Sequence, residues 1–310
     1  SGHYNASTDC RVISIIMNSV NPIESKLAIL SLLFAATMWG IIWYPMRLFE
    51  QAGMSVVWVT LIMYLTAGIA SLPIFIKNRY RWKHIPADLL WLALAAGMTN
   101  LAFLVALNEG QVMRVMLLFY LSPLWSVILG RWWLGEKLSL AAIIMFVLAM
   151  GGTVLMLWRP EVGFPWPHGL ADWLALFASL CFAVNNVLSR KLAAVPMALK
   201  TTIILWGVVA VSIVVLLLQQ ASLPSVGLSV WLSAVLVGGG IIIAMTMTVL
   251  YGLARMPVYL AAVIMLFELI VAAISSALLT TEMMTVQEWL GGAFIFVAAF
   301  GIAQVEKANR

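Results

Sequence analysis

Ten apolar segments follow one another along the chain, and they constrain its fold more than any other feature of the sequence. A helix needs about 20 apolar residues to cross a hydrocarbon layer about 30 Å thick. The segments cover residues 27–45, 56–76, 88–107, 114–132, 138–158, 170–190, 200–219, 229–253, 258–280 and 287–304. The alternating pattern of a membrane barrel strand is missing from them. The sequence therefore predicts an all-α integral membrane protein with ten transmembrane helices.

The composition excludes a soluble protein. Hydrophobic residues make up 64% of the chain and charged residues 9%, whereas a soluble domain carries about 25% charged residues. The net charge of +5 could suggest a nucleic-acid partner, but the basic residues are confined to short loops and ends. Cys10 and Cys181 form no metal-binding or disulfide pattern. We therefore expect membrane lipids as partners, no nucleic acid and no cofactor, and the oligomeric state stays open.

The distribution of Lys and Arg predicts the orientation. With the N-terminus in the cytoplasm, only Arg47, Arg114 and Arg159 lie outside. The inner side then holds Arg11, Lys26, Lys77, Arg79, Arg81, Lys83, Arg131, Lys137, Arg190, Lys191, Lys200, Arg255, Lys307 and Arg310. Basic loops stay on the cytoplasmic side of a membrane. We expect a multi-pass protein of a bacterial inner (plasma) membrane with both termini in the cytoplasm.

Two stretches of the chain resemble two later ones. Residues 33–54 align with residues 176–197 at an offset of 143, which pairs Arg47 with Arg190. Residues 104–124 align with residues 250–270 at an offset of 146. Because five helices are an odd number, the second half would enter the membrane from the opposite side. Inverted repeats of this kind build alternating-access transporters, with the site between the halves near the midplane.

The boundaries follow from this repeat. The first five-helix repeat covers residues 27–158, a linker covers 159–169, and the second repeat covers 170–304. We expect residues 1–26 to be a cytoplasmic leader, with Met17 as the natural start, and residues 305–310 to be a cytoplasmic tail.

One stretch carries a family resemblance. In YLSPLWSVILGRWWLGEKLSL, residues 120–140, Pro123 is followed after eleven residues by Gly135-Glu136, and the first helix contains Trp-Gly followed by aromatic residues. This pattern resembles the EamA family of the drug/metabolite transporter superfamily over nearly the whole chain after Lys26. The second copy departs from the pattern, with Leu269 for the proline and Thr281-Glu282 for Gly-Glu. The resemblance implies ten helices and transport of a small solute.

Glu268 is the only charged residue between Arg255 and Glu282. A carboxylate in the bilayer costs free energy, so such residues face a bundle interior or a wet cavity. Glu268 is therefore predicted to couple protons or to bind a substrate ammonium group. The alternative is a hydrogen-bonded Glu that joins the ninth helix to a neighbour.

Further polar and aromatic residues in predicted helices are candidates for substrate binding, with helix packing as the alternative for each. They are Trp39, Trp43, Asn100, Tyr120, Asn185, Asn186 and Tyr251. Asn combines donors and an acceptor and suits a zwitterion. Trp39 and Trp43 share a helix face and could cover an apolar or cationic group. Pro123 is expected to kink the fourth helix.

Charged residues near the helix ends allow two interpretations. Arg47 and Arg190 are either arginines whose side chains extend to the interface or a pair of gate residues at opposite sides. We expect Arg114 and Glu109 to form a solvated loop pair. Glu136 and Glu282 are interpreted as topology and capping features.

No motif for catalysis is visible. His3, His84 and His168 lie outside the predicted helices, and neither a nucleophile with a base nor a phosphate loop occurs. Rings of like charge, typical of channels, are also missing. A membrane enzyme and a channel are thus the weaker interpretations.

The sequence favours a secondary transporter of a small amphipathic, amino-acid-like metabolite, working by alternating access as an exporter, with protons as a further partner. Helices one, three, four, six, eight and nine would enclose the cavity, and helices five and ten would pack outside it. An importer or exchanger of a nucleotide-like or cofactor-like solute is the alternative.

The orientation can be tested with single cysteines in a Cys10→Ser, Cys181→Ser background. Arg47→Cys is expected to react with a membrane-impermeant maleimide added outside intact cells, because the charge bias places it there. Lys137→Cys is expected to react only after the membrane is permeabilised. Labelling of position 47 from the cytoplasmic side alone would contradict the topology.

Overall fold

The protein is a helical bundle, seen here in a computed structural model that describes residues 22–78, 86–110, 112–158, 166–279 and 285–308. Within these ranges the chain forms helices and connecting turns and contains no strand. Seven helices are unbroken: α1 Pro22–Gln51, α2 Val56–Asn78, α3 Asp88–Glu109, α5 Leu140–Leu157, α6 Leu170–Lys191, α7 Met197–Leu218 and α10 Val286–Ala308. Three are interrupted: α4a Val112–Phe119 and α4b Ser122–Leu134; α8a Leu228–Val237 and α8b Ile243–Arg255; α9a Val258–Met265 and α9b Phe267–Leu279.

The helices match the ten apolar segments of the sequence. Nine of those in the described ranges are long and apolar enough to cross a membrane, and Val286–Ile302 is a shorter apolar helix in the tenth position. The prediction of an all-α, ten-helix membrane protein is confirmed. The first helix was predicted to end at residue 45, but it continues through Pro45 to Gln51.

The internal repeat is visible in the helix ends. α3 ends at Glu109 and α8b ends at Arg255, an offset of 146 residues. α4a and α9a, eight residues each, begin and end at that same offset. Both are interrupted at matching places, by Tyr120 and Leu121 in α4 and by Leu266 in α9. The chain is therefore built from two related halves.

Most of the packing joins one half to the other. α1 packs against α8 and α9 of the second half, while α6 packs against α3 and α4 of the first. α2 packs against α7, α4 contacts α9, and α5 packs against α10. When the two halves are exchanged, the contacts of α1 with α8 and α9 become those of α6 with α3 and α4. The pairs α2–α7, α4–α9 and α5–α10 map onto themselves. This two-fold arrangement of antiparallel halves is the inverted repeat that the sequence predicts.

Glycines allow the closest of these contacts. A Cβ on Gly152 of α5 would lie 2.7 Å from the carbonyl oxygen of Gly291 in α10, and a Cβ on Gly291 would meet the Gly152 carbonyl at 2.6 Å. The two backbones thus touch, as small residues permit in membrane helices. In α8, residues Gly238–Ile242 form a π-helical turn, with Gly238 against the backbone of Met63. π-helical turns in α-helices are frequent at functional sites.

Gly151 and Gly152 provide a matched test of the α5–α10 contact. Gly152→Ala is expected to lower the free energy of unfolding by about 1–3 kcal/mol, because its Cβ has no space. Gly151→Ala is the control, since no atom lies within 4 Å of its Cβ position. It is expected to be neutral or slightly stabilising, because Ala favours helix over Gly. Thermal unfolding midpoints of the detergent-solubilised variants compare the two, and equal midpoints would contradict the close contact.

Candidate substrate and gating sites

The two helix breaks bring Tyr120 and Glu268 together between the halves. Tyr120 lies in the break of α4, and its hydroxyl donates a hydrogen bond of 2.6 Å to Oε1 of Glu268. Glu268 lies in the first turn of α9b, directly after the break of α9. Unpaired N–H groups at a helix N-terminus favour a carboxylate. Both side chains are only partly buried, so this pair is the centre of the candidate site.

α1 packs closely against α9b, the helix that contains Glu268. A Cβ on Gly40 would lie 2.6 Å from the backbone oxygen of Glu268. One turn further along α1, Nε1 of Trp43 donates to Oγ of Ser275 at 2.9 Å. The same hydroxyl donates to the Gly40 carbonyl at 3.2 Å. These contacts fix the Trp43 indole on the α1–α9b contact, beside the predicted site.

An aromatic cluster adjoins the Tyr120–Glu268 pair. Phe119 stacks against Phe103 of α3 and Phe182 of α6, with ring centroids 4.5 Å and 5.6 Å apart. Its ring also lies 5.8 Å from that of Tyr120. All three Phe side chains are partly exposed and form an apolar wall. Sequence reasoning missed this wall, although Phe182 precedes Asn185 and Asn186 by three and four residues and so shares a helix face with them.

Asn185 and Asn186 lie one turn beyond Phe182. Asn186 is buried, and Asn185 is partly exposed. The side-chain oxygen of each is buried and accepts no hydrogen bond from the residues that the structure describes. Buried polar atoms without a partner are rare in folded proteins. Both side-chain oxygens are therefore available to accept a hydrogen bond from a solute.

Three predicted residues lie elsewhere in the bundle. Asn100 donates to the Ala96 carbonyl at 3.1 Å and lines a cleft of about 400 Å³ with residues of α2, α3 and α7. Tyr251 lies under the guanidinium of Arg255, 3.6 Å from ring centroid to Cζ. The Trp39 side chain is 36% exposed. Their roles in substrate binding stay predictions.

The Arg190 end of the bundle is held by a contact between the halves, here called the Glu136 latch: Glu136, Arg190 and Val258. Both carboxylate oxygens of Glu136, in the turn after α4b, accept from the Val258 N–H at 3.1 Å and 3.0 Å. Nε of Arg190 lies 3.9 Å from Oε1 of Glu136. Arg190 also donates to the Ala254 carbonyl at 2.6 Å. The interpretation of Glu136 as a capping residue is confirmed, and the helix that it caps is α9a of the other half.

Arg47 differs from its counterpart Arg190. Its side chain is exposed at the opposite end of the bundle, called the Arg47 end. Glu282, the counterpart of Glu136, lies outside the described residues, as do His3 and His84. Arg190 therefore takes part in a contact between the halves, whereas Arg47 is exposed at the other end.

Arg114 is buried and not solvated, as the loop residue that was expected would be. It is 8% exposed, and its Nε lies 2.8 Å from Oδ2 of Asp172, which is 6% exposed. Arg114 also donates to the Trp166 carbonyl, and the His168 N–H donates to Asp172 at 2.9 Å. The prediction of a solvated Arg114 was wrong because the start of α4 packs against the start of α6 from the other half, where a buried arginine requires a carboxylate partner.

Comparisons with known proteins agree with this architecture. The model of the EamA-like transporter family matches residues 26–158 and 169–304. A protein of known crystal structure superposes with a TM-score of 0.74 at 19% sequence identity, covering 90% of this chain and 96% of the other. That similarity shows the fold. A search of curated proteins found no match.

The family match covers both halves and most of the chain. The protein belongs to the EamA-like transporter family, in the drug/metabolite transporter superfamily. It is a multi-pass membrane transporter whose two repeats are the two halves described above.

The latch gives a pH dependence that can be measured. Burial raises the pKa of Glu136 from its usual 4.5, against the opposing effect of Val258, Arg190 and Tyr259. The folded protein therefore binds this proton more tightly than the unfolded chain, so the free energy of unfolding falls as pH rises above about 4.5. Gln does not titrate. The difference in unfolding midpoint, wild type minus Glu136→Gln, is expected to decrease as the pH rises above about 4.5.

The exposed Glu50 supplies the control for this measurement, because Glu50→Gln leaves the latch intact. A difference for Glu136→Gln that grows with pH would contradict the assignment.

Proposed function

We propose that this transporter moves a small amphipathic, amino-acid-like solute by alternating access around the Tyr120–Glu268 pair. The observation that carries the proposal is the hydrogen bond between these residues. It joins matching helix breaks of the two halves, and transporters of inverted repeats bind their solutes at such a place. A carboxyl group beside a partly open aromatic wall suits a solute that is cationic at one end and apolar at the other.

Each part of the solute has a proposed contact. Glu268 binds the ammonium group, or a proton when the solute is absent, and its carboxylate then accepts from the ammonium group in place of the Tyr120 hydroxyl. The apolar part lies against Phe103, Phe119 and Phe182, with Trp43 of α1 as a further proposed contact. Asn185 and Asn186 contact the remaining polar groups, since both have a buried side-chain oxygen without a partner in the described part of the chain.

Opening and closing would take place at the two ends of the bundle. The Glu136 latch joins the turn after α4 to α6 and α9 of the other half, so a rocking motion that opens the Arg190 end has to break it. Arg47 is proposed as the matching gate residue at the other end. Opening of either end would require the two halves to move relative to each other at the contacts that join them.

The charge bias supports an orientation. We propose that the Arg190 end faces the cytoplasm of a bacterial inner membrane, and that both termini lie there. In this orientation the solute is taken from the Arg190 end and released at the Arg47 end, which makes the protein an exporter. A proton that exchanges with the ammonium group on Glu268 would couple export to the proton gradient.

The experiment is flux of radiolabelled amino acids into and out of proteoliposomes, with and without a pH gradient. Wild type is compared with Glu268→Gln and Tyr120→Phe. A charge-assisted hydrogen bond contributes about 1.5–3 kcal/mol, so Glu268→Gln is expected to lower the flux of the accepted solute by at least about tenfold. It is also expected to abolish the stimulation by the gradient.

Tyr120→Phe is expected to reduce the flux less and to keep the gradient response, because Glu268 remains. The control is Lys26→Gln, which removes an exposed charge near the start of α1. Wild-type flux and an unchanged gradient response in Glu268→Gln would reject the proposed centre and leave Glu268 as a contact between helices.

A further inference from the structure

Lys200, in the first turn of α7, is a buried cation without a carboxylate. Its side chain is 1% exposed, and it forms no ion pair in the described part of the chain. Nζ donates one hydrogen bond, to the Ser189 carbonyl at 3.1 Å. An ammonium group has three donors. A buried charge costs several kcal/mol unless it is paired, so Lys200 lacks a counter-ion.

Two further cations lie near Lys200. Lys200 donates to the carbonyl of Ser189, the residue before Arg190, and Arg190 donates to the carbonyl of Ala254, the residue before Arg255. Arg255 donates to the Tyr251 carbonyl at 3.3 Å, and its Nε is buried without a partner in the described residues. Glu136 is the carboxylate that contacts this group, through Arg190 at 3.9 Å. The same carboxylate also binds the Val258 N–H.

Neutral donors at the same place are unused. Ser189, whose carbonyl holds Lys200, is 0% exposed, and its hydroxyl finds no partner among the described residues. Thr201, next to Lys200 in the chain, is 3% exposed, and its hydroxyl is likewise without a partner. Buried hydroxyls normally form hydrogen bonds. Cationic and neutral donors without acceptors therefore occur together at the ends of α6, α7 and α8.

We infer that Lys200, Arg190, Arg255 and Ser189 form a binding site for a small carboxylate-bearing anion, here called the Lys200 site. Cations with hydroxyl donors are the chemistry that binds a carboxylate. Because protein covers Lys200, a small soluble anion fits better than the headgroup of a lipid, whose chains have to stay in the bilayer. On the basis of the proposed function, this anion is the carboxylate of the transported solute as it enters from the Arg190 end.

The Glu136 latch gives the site a mechanism of access. Glu136 supplies a carboxylate next to Arg190 while the latch is closed. A solute carboxylate that pairs with Arg190 and Lys200 would replace it and release the Val258 N–H. Binding at the Lys200 site therefore favours opening of the Arg190 end, which links solute arrival to the change of state.

The test measures the thermal unfolding midpoint of the full chain in phosphatidylcholine nanodiscs at constant ionic strength. The probes are 4-methylpentanoate and 3-methylbutylamine, which share a 3-methylbutyl group and differ in carrying a carboxylate or an ammonium group on it. We expect 4-methylpentanoate to raise the midpoint of wild type. Its half-saturating concentration should rise at least about tenfold in Lys200→Met, from loss of a charge-assisted hydrogen bond.

Two controls accompany the variant. Lys137→Met removes an exposed lysine next to Glu136 in the chain and is expected to respond as wild type does. The response to 3-methylbutylamine is expected to be the same in Lys200→Met and in wild type. If Lys200→Met does not yield a monodisperse protein, Arg255→Gln takes its place, with the same weakening expected.

Three results would overturn the Lys200 site. The first is no shift of the wild-type midpoint with 4-methylpentanoate, and the second is an equal shift in the variant. The third is a Lys200-dependent shift caused by anionic phosphatidylglycerol in the nanodisc while the soluble anion has no effect, which would make the ligand a lipid headgroup. Because amino-acid flux is measured separately with Glu268→Gln, the Lys200 site and the proposed transport function can fail independently.

Discussion

A hydrocarbon environment leaves backbone N–H and C=O groups no partner except other protein groups, and the rest of this structure depends on that constraint. Helices satisfy these groups within themselves, so a break is tolerated only where protein or a wet cavity surrounds it. The breaks of α4 and α9 both occur where the two halves meet. Tyr120 and Glu268 are brought together because the interface between the halves is the place that admits non-helical backbone.

The same environment requires each buried charge to have a partner. Arg114 meets Asp172, and Glu136 meets Arg190 and the start of α9a. Both contacts link one half to the other, so electrostatics and repeat symmetry act on the same interface. Lys200 departs from this pattern, since its one hydrogen bond is to a carbonyl. At a buried cation of this kind, a ligand is expected to supply the counter-ion.

Much of the fold could be predicted because its signals are local. Hydropathy identified the helices, and an offset of 146 residues identified the repeat whose ends Glu109 and Arg255 confirm. The candidate site was less accessible. Glu268 and Tyr120 were identified separately, as a charge in an apolar segment and as a polar residue near a proline. The partners of Arg114 and Lys200 were not identified, since Asp172 and Ser189 lie in another helix.

The sequence by itself determined the membrane class, the number of helices and the division into two halves, because apolar length and repetition depend on nearby residues. Only the tertiary structure decided which side chains meet. The Tyr120–Glu268 bond spans 148 positions of the chain and the Glu136–Val258 bond spans 122. Such pairs follow from how two antiparallel halves dock, with backbone contacts such as Gly152 against Gly291 setting the helix positions. That docking is a property of complementary surfaces, which no single segment carries.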